Sequence, residues 1–164
     1  LLLRCLTLAV FAVIGLCLLG CNTPNPCGSI DCLNYGLCND GECLCLAGYE
    51  GTVCDTVSRD RILGSYVATQ NCNQDEPFTY QMFIAAGQGS VSDLIIGNFG
   101  NGVIGVHATL NGDYITIPQQ HLVVQSGAVD VNGTGFIGDS TIAFSYFLND
   151  GTTDFHCNFI LPLP

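Results

Sequence analysis

Cysteine, histidine and paired carboxylates are the side chains of this sequence that could do chemistry, and cysteine dominates them. Eleven cysteines stand beside three histidines, His107, His121 and His156, and one adjacent acid pair, Asp75-Glu76. No two histidines have the short spacing of a metal-binding pair. His107 alternates with Gly105 and Thr109, and His156 with Asp154 and Asn158, so both belong to the polar faces of strands and read as solvated. Asp75-Glu76 precedes Pro77 in a turn and reads as surface charge. Ser90 and Ser145 lie in no strand–turn–helix context of the kind that exposes a nucleophilic serine. Each cysteine finds another use below, so no thiol remains as a nucleophile. The chain reads as non-enzymatic, without metal or cofactor.

The cysteines divide into groups with different fates. Cys5 to Leu19, CLTLAVFAVIGLCLL, is a nearly unbroken apolar run behind Arg4. It is short for a bilayer span, which needs about 20 residues, and suits the apolar part of a secretory signal helix. The chain opens on Leu1 rather than Met, so a start upstream is expected. Leu18-Leu19-Gly20-Cys21 closes the run and resembles the bacterial lipoprotein box. The resemblance implies a signal peptide over 1–20, cleavage after Gly20, and a diacylglyceryl group on the sulfur of Cys21, with further acyl chains such as palmitate. Cys5 and Cys17 leave with the signal. Two or three acyl chains hold a protein firmly on a membrane. Residues 21–26 then form a short lipidated tether, NTPNP beyond Cys21, in which Pro24 and Pro26 disfavour helix.

From Cys27 to Cys54 six cysteines follow the spacing C-x4-C-x5-C-x4-C-x-C-x8-C, with the turn Gly48-Tyr49-Glu50-Gly51 ahead of the last. So short a segment cannot bury a core that offsets chain entropy, and covalent links must replace it. Zinc would be the other use of six thiols, but no histidine lies among them and the chain is exported, which favours disulfides. Six cysteines allow about 15 pairings on arithmetic alone. The spacing and turn resemble an EGF-like domain, and that resemblance implies the pairs Cys27–Cys38, Cys32–Cys43 and Cys45–Cys54. Calcium-binding members of that family carry acids before the first cysteine; here the approach is NTPNPC, and Asp31, Asp40 and Glu42 read as solvated.

Residues 55–62 read as a polar linker, and 63–164 as an antiparallel β domain. Ile142, Phe144, Tyr146 and Leu148 share one face with mostly small side chains opposite; Phe155, Cys157, Phe159 and Leu161 share one face with Asp154, His156 and Asn158 on the other, and Phe78, Tyr80, Met82 and Ile84 likewise share a face. Period two with one apolar face marks half-buried strands. Asn101-Gly102, Asn111-Gly112, Gly138-Asp139 and Asn149-Asp150-Gly151 supply turns. The expected strands are 64–72, 78–86, 92–98, 103–110, 113–118, 121–125, 128–137 and 140–149, with 153–161 as a ninth. The fold class is thus mainly β: a small disulfide-rich module plus an up-and-down barrel or sandwich of about eight strands. Cys72 ends the first strand and Cys157 sits in the last, and a bridge between them would tie the two together if the sheet closes. That completes the eleven.

Net charge is −11, no lysine is present, and Arg4, Arg59 and Arg61 are the only basic residues. Nucleic-acid binding needs a basic surface, so that class is excluded. Asn132-Gly133-Thr134 fits an N-glycosylation triplet; Asp55-Thr56-Val57 and Asp139-Ser140-Thr141 resemble an O-glycosylation triplet of Bacteroidetes-type bacteria. The whole layout resembles small lipoproteins of those bacteria, in which an EGF-like module precedes a lipocalin-like β domain. That implies a lipid-anchored outer-membrane protein. The expected function is a cell-envelope binding or interaction module, with the membrane and a protein or glycan as partners. The alternative is a lipocalin-like carrier of a small apolar ligand. Phe144, Tyr146, Phe155 and Phe159 are large enough to fill the barrel, which favours the first.

Overall fold

The computed structural model describes residues 25–73, 75–102, 105–124 and 127–163. The expected signal helix over 1–20 and the lipid site Cys21 lie outside the described residues.

Residues 27–54 fold around sulfur rather than around a core. Strands β1 (Leu37–Asn39) and β2 (Glu42–Leu44) form a hairpin that pairs Leu37 with Leu44 and Cys38 with Cys43. Disulfides join Cys27–Cys38, Cys32–Cys43 and Cys45–Cys54. Each closes a loop of about ten residues, worth on the order of 2–3 kcal/mol if chain entropy governs. A second pair, β3 (Tyr49–Glu50) with β4 (Thr56–Val57), carries the module past Cys54.

The expected linker 55–62 is therefore structured rather than a polar tether. After β4 a short 3-10 helix, Ser58–Ile62, turns the chain under the second unit, with Ser58 and Ile62 buried. Its single apolar residue, Ile62, is hidden in a run of charges, SRDRI, and is fully buried.

Eight antiparallel strands then close a barrel: β5 (Gly64–Cys72), β6 (Phe78–Ala86), β7 (Asp93–Gly97), β8 (Val106–Asn111), β9 (Tyr114–Val124), β10 (Gly127–Ile137), β11 (Thr141–Asn149) and β12 (Asp154–Pro162). Each strand pairs with its neighbours in sequence, and β12 returns to β5. The sheet is a barrel, not a sandwich. We call the end where β5 begins the lower end and the end carrying Cys72 the upper. A disulfide joins Cys72 to Cys157 across the closing seam.

Two expected strands, 113–118 and 121–125, are one. On β9, three residues span Ile117 to Gln120 while β10 advances only two, from Gly133 to Val131. The extra residue is a β-bulge beside Pro118, which has no N–H to give a ladder. A bulge reverses the alternation: Ile115 and Ile117 face inward before it, Gln120, Leu122 and Val124 after it. That reversal makes one strand read as two. The strand 153–161, counted as a ninth, becomes the eighth.

The interior is filled. Tyr66, Met82, Ile84, Leu94, Ile96, Leu110, Ile115, Ile117, Ile142, Phe144, Tyr146, Phe159 and Leu161 are buried within one cluster. Gly133 and Gly135 face Tyr146 and Phe144 across the β10–β11 ladder. A Cβ on Gly135 would come within 2.7 Å of the Phe144 ring, so that glycine gives the ring its space, while one on Gly133 would meet the Ser145 carbonyl and the Tyr146 Cβ at 2.6 Å, so that glycine lets the two strands approach. Phe144 stacks on Phe159 with ring centres 4.5 Å apart. Phe78, expected on the buried face, is exposed at the strand's upper end and tilts against Tyr80. Phe155 is half-buried at the edge of the core.

Candidate functional site

Among the described residues, polar or reactive side chains come together at a junction below the barrel, in a buried cluster near its top, and in pairs on its outer wall.

At the junction sit Arg59 and Arg61, the only Lys or Arg among the described residues. Both belong to the 3-10 helix, and both are spent on internal contacts. Arg59 Nη1 donates to the carbonyl oxygens of Gly87, Ser90 and Asp93 at 3.1, 2.8 and 3.0 Å, pinning the β6–β7 turn. Its Nε is buried without a partner. Within that turn Asp93 accepts from the Ser90 hydroxyl and amide. These donors, with Arg59 beyond them, hold the Asp93 carboxyl below its ordinary pKa. Arg61 donates to Asp113 at 2.8 Å and to the Gly112 carbonyl, and pairs with Glu50 of the disulfide module at 3.5 Å. The module thus meets the barrel through an ion-pair bridge. It also meets it through packing: at Gly48, φ +92°, a Cβ would lie 2.4 Å from Val91. The Ser58 amide donates to the Gly48 carbonyl and completes the joint.

Near the top, Gln70 is buried with its amide oxygen accepting from Tyr80 at 2.7 Å and Tyr146 at 3.0 Å. Its Nε2 donates to the Cys72 sulfur at 3.2 Å. Burial pushes the Tyr80 hydroxyl pKa up to about 12 and raises that of Tyr146 further. Phe99, on the β7–β8 connection, turns inward over this layer. Its ring lies edge-on to Tyr146 at 4.5 Å and to Phe159 at 5.4 Å, fully buried. Asn98, Gly100 and Asn101 around it all have positive φ, which bends the loop into the barrel. Neither Gln70 nor Phe99 stands out in the sequence. Gln70 shares parity with Tyr66 and Ala68 on β5, which marks it as inward; Phe99 sits in the turn-rich NFGNG, where periodicity gives no signal.

On the outer wall, Ser145 Oγ and His156 Nε2 are 3.1 Å apart, and the Phe147 ring stacks on His156 at 4.5 Å. Sequence separation hides this pairing, although the β11–β12 register sets Phe147 opposite His156. The pair has the atoms of a serine–histidine dyad but lies on an exposed convex face, and no acid pairs with His156 among the described residues. His121 Nδ1 meets Asp130 at 2.8 Å, also exposed. His107 is exposed and its backbone is clasped by Gln120: the His107 amide donates to Gln120 Oε1, and Gln120 Nε2 donates to the His107 carbonyl. That side chain stands in for a strand where the β8–β9 ladder has ended.

Asp75 and Glu76 are exposed. Asp31, Asp40 and Glu42 are exposed on the module. Among the described residues no group of three His, Cys, Asp or Glu side chains is close enough to hold an ion. All eight described cysteines are in disulfides. Ser90 serves the Asp93 turn. Surfaces open to recognition among the described residues include the outer wall, open depressions at the lower end of the barrel beside Leu63, Ile137 and Leu163, and the module hairpin, whose Tyr35, Leu37, Leu44 and Leu46 are exposed.

No protein-family model matches the chain, and no curated protein matches it. Among solved structures, the chain is similar to a redesigned β-barrel at 15% identity and a TM-score of 0.47, over 64% of this chain and 93% of that one.

Proposed function

We propose that the protein is a non-enzymatic cell-envelope lipoprotein, anchored through Cys21 to a bacterial outer membrane, whose EGF-like module and barrel serve as binding surfaces for a protein or glycan. The observation that carries this reading is the packed barrel. Phe99, Tyr146 and Phe159 meet inside its upper part, and the Tyr80–Gln70–Tyr146 cluster satisfies its own hydrogen bonds. A carrier needs a lumen lined for its cargo, and here side chains occupy that place. Among the described residues no acid orients the His156 imidazole, and the Ser145–His156 pair is exposed, which favours a non-enzymatic role. The module, fixed to the barrel through Arg61, Glu50 and Gly48, would present its hairpin in a constant orientation. The six-cysteine spacing and the Leu18–Cys21 box support the EGF-like and lipoprotein parts of this reading.

Native and denaturing mass spectrometry of residues 22–164, secreted without lipid, tests it. The expected mass is eight hydrogens below the reduced chain, two for each of four disulfides, with nothing else bound. A reproducible small-molecule adduct that departs on denaturation would replace this reading with the carrier.

A further inference from the structure

The hairpin of the disulfide module turns an apolar face outward. Leu37 and Leu44 are cross-strand partners, so their side chains stand on one side while Cys38 and Cys43 point to the other. Leu46 lies beyond β2 and is exposed, next to the half-buried Cys45. Tyr35 precedes Leu37, 89% exposed, with φ +62°. A bulky aromatic residue in the left-handed region is a strained placement, and here it holds a ring in solvent. A module stabilised by sulfur has no need of four large apolar side chains on its surface.

The entry path of the chain says what covers them. Cys27 is bonded to Cys38, next to Leu37, and Pro26 lies within 4 Å of where a Cβ on Gly41 would sit, at the hairpin turn. The chain from Cys21 therefore arrives at this hairpin. Five residue steps separate Cys21 from Pro26, and a fully extended chain covers at most about 3.5 Å per step, about 18 Å in all. The headgroup layer on one side of a bilayer is about 5–8 Å thick. A sulfur acylated in the membrane thus holds the hairpin within reach of the headgroup–acyl boundary, where tyrosine and leucine side chains are favoured. Asp31, Asp40, Glu42 and Glu50 give the module only negative charge. The lipid it suits is zwitterionic rather than anionic.

We propose that Tyr35, Leu37, Leu44 and Leu46 dock into the interface of the same bilayer that holds the anchor, so that the module lies on the membrane and the barrel stands above it. This rests on the reading of Cys21 as the lipidated residue. The chain has no tryptophan, so one introduced indole is a unique fluorophore. The chain carrying Tyr35→Trp, with an initiating Met supplied ahead of Leu1, is expressed in a bacterial host, extracted from membranes, weighed by mass spectrometry, and reconstituted into vesicles of phosphatidylcholine with brominated acyl chains. Val123→Trp, at an exposed site on the upper half of the barrel wall, is the reference.

The expected result is a protein carrying acyl mass on Cys21. The indole of the Tyr35→Trp variant should be blue-shifted and lose most of its emission to bromine, while that of the Val123→Trp variant keeps its own. Replacing part of the lipid with phosphatidylglycerol carrying the same brominated chains should restore part of the emission of the hairpin indole. Lipid on Cys21 with the hairpin indole as unquenched as the barrel reference would overturn the docking and leave the anchor standing; the apolar face would then belong to a soluble protein partner. A protein without acyl mass on Cys21 would overturn the anchor and the docking together.

Discussion

Phe99→Ala is the substitution that bears most directly on what the barrel is for. The ring is fully buried and meets Tyr146 and Phe159 edge-on. Removing a buried phenylalanine ring costs about 3–5 kcal/mol, transfer and cavity terms together. The two edge-to-face contacts place this site in the upper half of that range, since each adds about 0.5–1.5 kcal/mol beyond area. A loss of about 4 kcal/mol is expected, against a total stability of roughly 5–15 kcal/mol for a domain. At about 2–4 °C per kcal/mol for a chain of this size, the melting temperature should fall by roughly 8–16 °C. Urea unfolding with the disulfides intact measures it, read as the change in midpoint at constant slope. Phe99→Leu keeps most of the volume and should lose roughly half as much or less. A loss below about 1 kcal/mol for Phe99→Ala, outside the range for a packed ring, would refute the reasoning. It would mean that the ring is not part of the core, that the loop opens readily, and that the barrel has an interior for cargo.

Gln70→Leu strands the Tyr80 and Tyr146 hydroxyls in the core and should cost about 2–4 kcal/mol by denaturant unfolding, since each unsatisfied group costs about 1–3 kcal/mol; either tyrosine changed to Phe alongside it should recover part of that. Tyr80 is harder to ionise folded than unfolded, so stability is present below about pH 10 and declines as pH rises through about 12, which phenolate absorbance and circular dichroism recorded together would show. Arg59→Ala removes a charged donor from three carbonyls and should cost about 2–3 kcal/mol, with faster amide exchange over residues 87–93. Arg61→Gln breaks half-exposed ion pairs and should cost under about 1 kcal/mol while raising exchange at Glu50 and Asp113.

Alternation makes most of the barrel legible. Where a strand keeps one phase, as β5, β6, β11 and β12 do, sequence parity sorts inward from outward residues except at strand ends such as Phe78, and the strand limits fall within a residue or two. It misleads where the backbone changes phase: the bulge at Pro118 exchanges the inner and outer faces of β9, and no side-chain pattern announces a shift of one residue. It is silent where core-forming side chains leave the strands. Phe99 enters from a turn, and Ile62 from a run of charges, because each is placed by what lies opposite it rather than by its neighbours in the chain. Gln70 is readable by parity, yet a lone amide among aromatics gains meaning only once Tyr80 and Tyr146 are seen to converge on it. The arginines look like linker charges; the structure makes them the fastenings of the two units.

The position of the Cys72–Cys157 bond also determines how the molecule carries load. Force applied from the N-terminal side passes through the disulfide-knotted module, which has little slack to release, and enters the barrel at Gly64, the lower end of β5. There the β12–β5 ladder has not yet begun, since its pairs run only from Thr69–Ile160 to Cys72–Cys157. At that end β5 is held by β6 alone, in a ladder that runs from Gly64–Ile84 to Gln70–Phe78, so tension would peel β5 from β6 upward, one rung at a time, as a zipper opens, rather than shear all rungs at once. The peel ends at Cys72, where a covalent bond transfers the pull to β12 at the far end of the sequence. A tug on one terminus is thus shared by both, and what has opened below the bond can close again without the strands losing their places.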